Sequence, residues 1–167
     1  MREKIWYDMG QAIFNSNYIS KLILIQRKTI KWGNAIVALF SLIGAVGSPI
    51  WEYFPLFSCI IITLASIAKA LLPSLFGDEE FLRKMDDVQC FYERFSQDLQ
   101  RIWIRIENKS ISLEKGERLF FKLKKREVKI NSKVNDVLER PFFNRKKAER
   151  KSKEETIKYI NKVYNHE

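Results

Sequence analysis

The chain has 167 residues, with 30 Lys or Arg side chains against 20 Asp or Glu and a net charge of +10. This length allows one domain, or a membrane hairpin with a modest soluble part. The sequence contains no Gly-rich phosphate loop, no GxSxG or HExxH motif and no Cys/His cluster, so it predicts neither enzymatic activity nor a bound cofactor or metal.

The charges are distributed unevenly along the chain. Residues 1–31 carry six basic and two acidic side chains, residues 32–77 carry only Glu52 and Lys69, and residues 78–167 carry 23 basic and 17 acidic side chains. This division predicts three parts: a basic amphipathic N-terminal helix over 1–31, a transmembrane helical hairpin over 32–77 and a cytoplasmic helical domain over 78–167. The predicted fold class is therefore all-α.

Two apolar runs form the central part. Residues 32–50 include no charged side chain, and residues 56–75 include only Lys69. At about 1.5 Å per helical residue, each run matches a hydrocarbon core about 30 Å thick. Pro49 and Pro55 bracket the connection and favour a tight turn. The pattern predicts two membrane-spanning helices, and a soluble protein with two buried core helices is the alternative.

Basic residues flank the two runs on the sides away from their connection. The connecting residues include Glu52 and no Lys or Arg. Positive charges close to the ends of membrane helices favour the cytoplasmic side. The predicted topology therefore has both termini in the cytoplasm and the loop outside. The flanking basic residues are Lys21, Arg27, Lys28 and Lys31 before the first run, and Arg83 and Lys84 after the second.

Small and polar residues recur at helical spacing inside the two runs. Steps of three and four place them on one face of each helix, and small residues let membrane helices approach closely. Two interpretations stay open: the stripe packs one helix on the other, or it faces a symmetry axis in a homo-oligomer and lines a polar path. The polar members of this candidate pore or packing stripe are Asn34, Ser41, Ser48, Ser58 and Lys69.

Apolar residues after Gly77 recur at alternating steps of four and three, which is the pattern of helices packed at a coiled-coil angle. Residues 108–110 interrupt this seam, and Ser112 is suited to cap a second helix. The same alternation of three and four residues then continues to Val137, where Gly116 and Glu127 are flaws that leave the register unchanged. The pattern predicts an antiparallel helical hairpin packed on the N-terminal helix or on another subunit, followed by a short C-terminal helix. The first seam consists of Phe81, Met85, Val88, Tyr92, Phe95, Leu99, Ile102 and Ile106.

A basic run opens the C-terminal part of the chain. Such a run can contact anionic lipid headgroups or nucleic-acid phosphates, and a solvated helix face explains it equally well. The residues of this candidate basic surface are Arg145, Lys146, Lys147, Arg150 and Lys151.

The N-terminal part includes a short amphipathic stretch before residues 15–17. Its apolar side chains follow helical spacing, and its flanks are basic, so the pattern predicts a helix that lies along the membrane surface. The apolar side chains are Ile5, Trp6, Met9, Ile13 and Phe14.

The order of these parts resembles a known family. A basic amphipathic lead, two membrane helices with a very short outer loop and long charged amphipathic helices make the layout similar to the SLATT group, small two-transmembrane proteins of bacterial conflict systems. The stretches that carry the resemblance are KTIKWGNAIVALFSLIGAV, PLFSCIIITLASIAKALLPSLFGDEEFLRKMDDVQCFYERF and the helix that follows. They include no residue-specific motif, so the resemblance transfers no functional residue.

The resemblance implies an antiviral effector in the bacterial inner membrane. It also implies a cytoplasmic sensor as partner: a nucleotidyltransferase, a SLOG protein or a reverse transcriptase complex. Once triggered, the effector would assemble or rearrange, permeabilise the membrane and cause abortive infection. The residues leave two other functions open: a passive membrane anchor or scaffold that recruits a cytoplasmic partner or nucleic acid, and a soluble nucleic-acid binder.

Overall fold

The computed structural model describes residues 1–46, 59–60, 63–67, 69–71, 77–140, 142 and 144–164. Every regular element in these ranges is an α-helix, which confirms the predicted all-α class. Residues 59–60, 63–67 and 69–71 are helical. Four long helices lie within the described ranges: α1 (Arg2–Val46), α2 (Glu79–Glu107), α3 (Leu113–Glu139) and α4 (Arg145–Tyr164).

The chain forms two compact units. The first combines Met1–Ile23 with Phe81–Glu167, and the second is Leu24–Glu80. The N-terminal part therefore shares a unit with the C-terminal helices, whereas the sequence predicted three consecutive parts. Helix α1 also continues through residues 15–17, where the amphipathic stretch was predicted to end. Ser16 is buried there, and the part-buried Asn17 donates a hydrogen bond to Thr156 of α4.

Helices α1, α2 and α3 of the first unit alternate in direction. Arg2 of α1 lies 3.5 Å from Glu107 at the end of α2, and the rings of Trp6 and Trp103 lie 5.4 Å apart, so these helices are antiparallel. Asp87 near the start of α2 contacts Lys133 near the end of α3 at 2.9 Å. Helices α2 and α3 thus form an antiparallel hairpin, as the pattern of two matched seams predicts.

The core of the first unit confirms the seam of α2. All eight predicted seam residues are buried, and Met85, Val88 and Leu99 are completely so. In α3, the residues Gly116, Phe120, Leu123 and Val137 are buried, whereas Leu113 at its first position is 52% exposed. The seam therefore has the helical period that buries one face of each helix.

The apolar face at the start of α1 completes this core. Ile5 and Met9 have no exposed surface, and Ala12, Ile19 and Leu22 are also buried. The prediction that this stretch lies along a membrane surface is therefore wrong. Its periodicity correctly indicated an apolar helical face, but a periodic face fits a protein core as well as an acyl-chain boundary.

The connection between α2 and α3 lies where the seam breaks. Lys109 adopts a positive φ of 55°, and the backbone N–H of Ser110 donates to the carbonyl of Arg105. Ser112 then caps α3, because its side chain accepts a hydrogen bond from the backbone N–H of Lys115 at 3.3 Å. The predicted N-cap is confirmed.

Residues 32–46 of the first predicted membrane run form the last part of α1. Within the described ranges, none of the helices combines the length and the apolar character that crossing a membrane requires. The predicted loop with Pro49, Glu52 and Pro55 lies outside the described residues, as does much of the predicted run 56–75.

Candidate functional site

The predicted polar stripe is described at three positions. Asn34 and Ser41 are exposed on α1, and the Ser41 hydroxyl donates to the carbonyl of Val37 at 2.9 Å. Lys69 is helical and exposed, whereas Ser48 and Ser58 lie outside the described residues. Among the residues that the structure describes, no hydrogen bond or ion pair joins Asn34, Ser41 and Lys69.

The surroundings of this stripe are apolar and uncovered within the described residues. Large apolar side chains on the last part of α1 and on the helical residues 59–60, 63–67 and 69–71 are 43–69% exposed. Exposed apolar side chains of this size and number mark a site of contact with lipid or protein. The side chains are Trp32, Ile36, Leu39, Phe40, Leu42, Ile60, Leu64, Ile67 and Leu71.

A charged cluster joins α1 to α3 inside the first unit. The Lys124 ammonium lies 3.0 Å from Asp8 Oδ2 and 2.5 Å from Glu127 Oε2, and 6.0 Å from the ring centroid of Phe95. Asp8 Oδ2 is buried and has no hydrogen bond of its own within the described residues, so the ion pair with Lys124 compensates its burial. Glu127 therefore has a role as a partner of Lys124 and is not a flaw in the seam.

Two groups in and beside this cluster have shifted pKa values. Burial alone would lower the pKa of Lys124, but its contacts with Glu127 and Asp8 outweigh that effect and raise the pKa. Burial and the charge of Glu127 raise the pKa of Tyr92, against the lowering effects of a hydrogen bond with Asn15 and of Lys124. Both groups are thus held in their protonated forms. The ion pair between Asp8 and Lys124 connects α1 to α3 and stabilises their packing.

Helices α2 and α3 approach each other closely at Gly116. A Cβ built at Gly116 would lie 2.5 Å from Ile106 Cδ1 and 2.9 Å from Ile106 Cγ1. The absence of a side chain therefore allows the two helices to approach at this level. The interpretation of Gly116 as a flaw in the seam is wrong.

Helix α4 packs on α1 through small and polar side chains. Asn17 Nδ2 donates to Thr156 Oγ1 at 3.3 Å, and Lys21 Nζ lies 2.7 Å from Glu155 Oε1. Ser152 and Thr156 are buried, and their hydroxyl groups avoid an unsatisfied donor by donating to carbonyls one turn earlier in α4, at 2.8 Å. This face leaves most of the basic side chains of α4 on the outside.

The predicted basic surface is divided between two roles. Arg145 Nε donates to the hydroxyl of Tyr18 at 2.9 Å, and Nη1 donates to the carbonyl of Leu138 at 3.3 Å, so Arg145 ties α4 to α1 and α3. Lys146, Lys147 and Lys151 are exposed without ion pairs within the described residues. Arg150 is also exposed, and its Nε lies 3.9 Å from Glu154.

A second basic face, on α3, was not identified from the sequence. Its side chains are exposed and follow steps of three and four residues, the spacing that places them on one side of a helix. The signal for this row in the sequence is the same alternation of three and four residues as in the apolar seams, with Lys and Arg in place of apolar residues. The residues of this basic row are Lys115, Arg118, Lys122, Lys125 and Lys129.

A polar groove of about 470 Å³ lies between α1, α2 and α4. Serine, asparagine and glutamine side chains line it, together with Glu93 and Glu155. These groups offer hydrogen-bond donors and acceptors. In the ranges that the structure describes, no group of His, Cys, Asp or Glu side chains has the arrangement of a metal site.

Comparisons with protein families, curated proteins and solved structures find no match to this chain.

Proposed function

We propose that this chain is a membrane-integral effector of bacterial antiviral defence. In this proposal, residues 32–77 form a transmembrane hairpin in the inner membrane, both termini are cytoplasmic, and the helical bundle of the first unit receives a signal from a cytoplasmic sensor. Copies of the chain then assemble or rearrange and permeabilise the membrane. The observation that carries the proposal is the uncovered apolar surface of the second unit.

The free energy that burial of that apolar surface would release favours a lipid environment. Burial of one large apolar side chain contributes about 1.5–3 kcal/mol. Trp32, Ile36, Leu39, Phe40 and Leu42 are between 43% and 69% exposed. At half exposure, five such side chains lack about 4–8 kcal/mol of the stabilisation that full burial would give them. This amount is comparable to the net stability of a whole domain. Acyl chains or other copies of the chain would recover this energy.

The division of the chain into two units supports a regulated effector. The ion pairs of Lys124 with Asp8 and Glu127 stabilise the bundle without using the apolar surface of the second unit. In this proposal the bundle keeps its packing while the second unit exchanges its contacts with lipid for contacts with other copies of the chain. The resemblance to the SLATT group supplies the defence role, and Asn34, Ser41 and Lys69 are the described residues that would meet water in an open pore.

The pore function is tested by the membrane potential of bacteria that express the chain. Induction should depolarise the cells, as measured with a potential-sensitive dye. Ser41→Leu and Lys69→Leu should restore the potential, because they remove polar groups from the proposed path. Ile36→Leu, a change within the exposed apolar surface, is the matched control and should still depolarise. An unchanged potential with the wild-type chain, both on induction and during phage infection, contradicts the effector role.

The membrane topology is tested separately. The chain should stay in the membrane fraction after a high-salt wash, and a reporter fused after Glu167 should be active in the cytoplasm. Recovery of the chain in plain buffer without detergent contradicts the transmembrane hairpin and favours the soluble alternative.

A membrane anchor or scaffold is the second candidate function. The exposed basic side chains of α3 and α4 favour it, because they give the bundle a surface for an anionic partner. Under this alternative, Ser41→Leu and Lys69→Leu leave phage protection intact, whereas Phe95→Asp in the seam abolishes it. The pore function requires both kinds of change to reduce protection.

A further inference from the structure

The basic row of α3 extends along the outer side of the bundle. Between its first and last members the helix rises by about 21 Å. All five side chains are exposed, and successive members are three or four residues apart. Neighbours at this spacing have Cβ atoms about 5–6 Å apart, so the row is a regular array of positive charges.

The row is energetically unfavourable for the isolated helix. Like charges at these spacings each destabilise a helix by about 0.2–0.5 kcal/mol. Within the described residues, no ion pair engages Lys115, Lys122, Lys125 or Lys129, and Arg118 pairs only with Glu114. Lys124, on the adjacent side of the same helix, has two carboxylate partners. The requirements of folding therefore explain Lys124 but not the row.

An aromatic side chain lies within the row. Phe121 is 47% exposed and follows Arg118 by one helical turn, next to Lys122. Lys4 of α1 lies 5.6 Å from the centroid of the Phe121 ring and brings a further cation to the same place. Tyr7, one turn after Lys4 on α1, is 70% exposed. Phe121 is thus a partly exposed ring with cations beside it.

We propose that the basic row and Phe121 bind single-stranded nucleic acid. Proteins that bind such strands combine cations that follow the phosphate backbone with aromatic rings on which the bases stack. The regular row supplies the cations, and Phe121 supplies the ring. This binding goes beyond the proposed membrane role and uses residues of the bundle alone, so either proposal can fail without the other.

A lipid surface fits this face less well. Helices that lie in a bilayer interface insert a broad apolar face below their basic residues. In α3 that broad face includes Phe120, Leu123 and Val137, which are buried in the bundle. The exposed side retains Leu113, Phe121 and Val128, each about two helical turns from the next. A polyanion that contacts side chains along the row needs no such insertion.

The test uses the full chain in a neutral detergent and fluorescently labelled oligouridine or oligothymidine of about 20 nucleotides, longer than one typical binding site. Fluorescence anisotropy gives the affinity at several salt concentrations. Each phosphate contact contributes about 0.7 to the slope of log affinity against log salt for single strands. The triple variant Lys122→Gln, Lys125→Gln, Lys129→Gln should therefore lower the slope by about 2.

A matched triple variant on α4 controls for net charge. Lys146→Gln, Lys147→Gln and Lys151→Gln remove the same charge from exposed positions. This variant should keep the wild-type slope within about 0.7, the value of one contact. The α3 triple variant should also melt no earlier than the wild type, because it relieves like-charge repulsion.

Variants of Phe121 test the stacking contact. Phe121→Ala should weaken binding about fivefold or more, and Phe121→Trp should retain it. Equal losses from the two triple variants, or an unchanged affinity in the α3 triple variant, overturn the proposal. Binding to phosphatidylglycerol vesicles without binding to either oligonucleotide also overturns it and assigns the row to a lipid surface.

Discussion

Ile106 of α2 occupies the space that a side chain at Gly116 of α3 would need. The built Cβ would lie 2.5 Å from Ile106 Cδ1, and Ile106 is only 4% exposed, so its side chain has little room to move away. Gly10 of α1 provides a contrast, since its built Cβ would lie 3.5 Å from Ile160 Cδ1, an ordinary van der Waals contact.

These two glycines predict opposite effects of the same substitution. Gly10→Ala should stabilise the protein by about 0.5–1 kcal/mol, because alanine favours a helix interior. Gly116→Ala should destabilise it by about 1–3 kcal/mol through overpacking, with little compensation so close to the start of α3. Urea unfolding measures both. Equal stabilisation by the two variants would show that the contact with Ile106 relaxes freely.

The ion pairs of Lys124 should contribute more to stability than an exposed pair. Lys124→Met leaves the part-buried carboxylates of Asp8 and Glu127 without their cation, and should cost about 1–3 kcal/mol after allowance for partial exposure. Arg118→Met removes an exposed pair with Glu114 and should cost less than about 0.5 kcal/mol. Thermal unfolding compares the two variants, and equal losses of stability would contradict the role of Lys124 in holding α1 against α3.

Stability should fall at alkaline pH. The pKa of Tyr92 is raised above its ordinary value of 10.0 and that of Lys124 above 10.5, so the folded protein holds both protons more tightly than the unfolded chain. Their stabilising effect is complete below these ordinary values and is lost as pH rises through the raised pKa values.

Tyr92→Phe isolates one part of this alkaline effect. The variant should show a shallower loss of free energy of unfolding above pH 10.0 than the wild type. Tyr159→Phe, at a 42% exposed position, is the control and should follow the wild-type curve. A Tyr92→Phe profile that coincides with the wild type would remove Tyr92 as a source of the pH dependence.

The seam should dominate the stability of the bundle. Leu99→Ala should cost about 2–5 kcal/mol, because Leu99 is completely buried and its removal leaves a cavity. Ile104→Ala on the same helix, at a 40% exposed position, should cost about 1 kcal/mol or less. Circular dichroism during thermal unfolding measures the difference. Comparable losses of stability in the two variants would mean that the seam residues do not form the core of the bundle.

The sequence alone determined the helical class, the eight buried positions of α2, the break after Ile106 and the cap at Ser112. These features follow from spacings and residue types within a few turns of one helix, where the 3.6-residue period relates sequence directly to a face. The row of cations on α3 has the same kind of local spacing, but it was recognised only once the structure showed its side chains exposed.

Only the tertiary structure decided what each face meets. The apolar side of α1 meets α2 and α3, Asp8 meets Lys124, and Asn17 meets Thr156, which is 139 residues away in sequence. A periodic pattern shows that a face is apolar or charged, but its partner depends on how distant helices pack together. The roles of Gly116 and Glu127 were therefore readable only from the packed bundle, where a missing side chain gives space to Ile106 and a carboxylate holds Lys124.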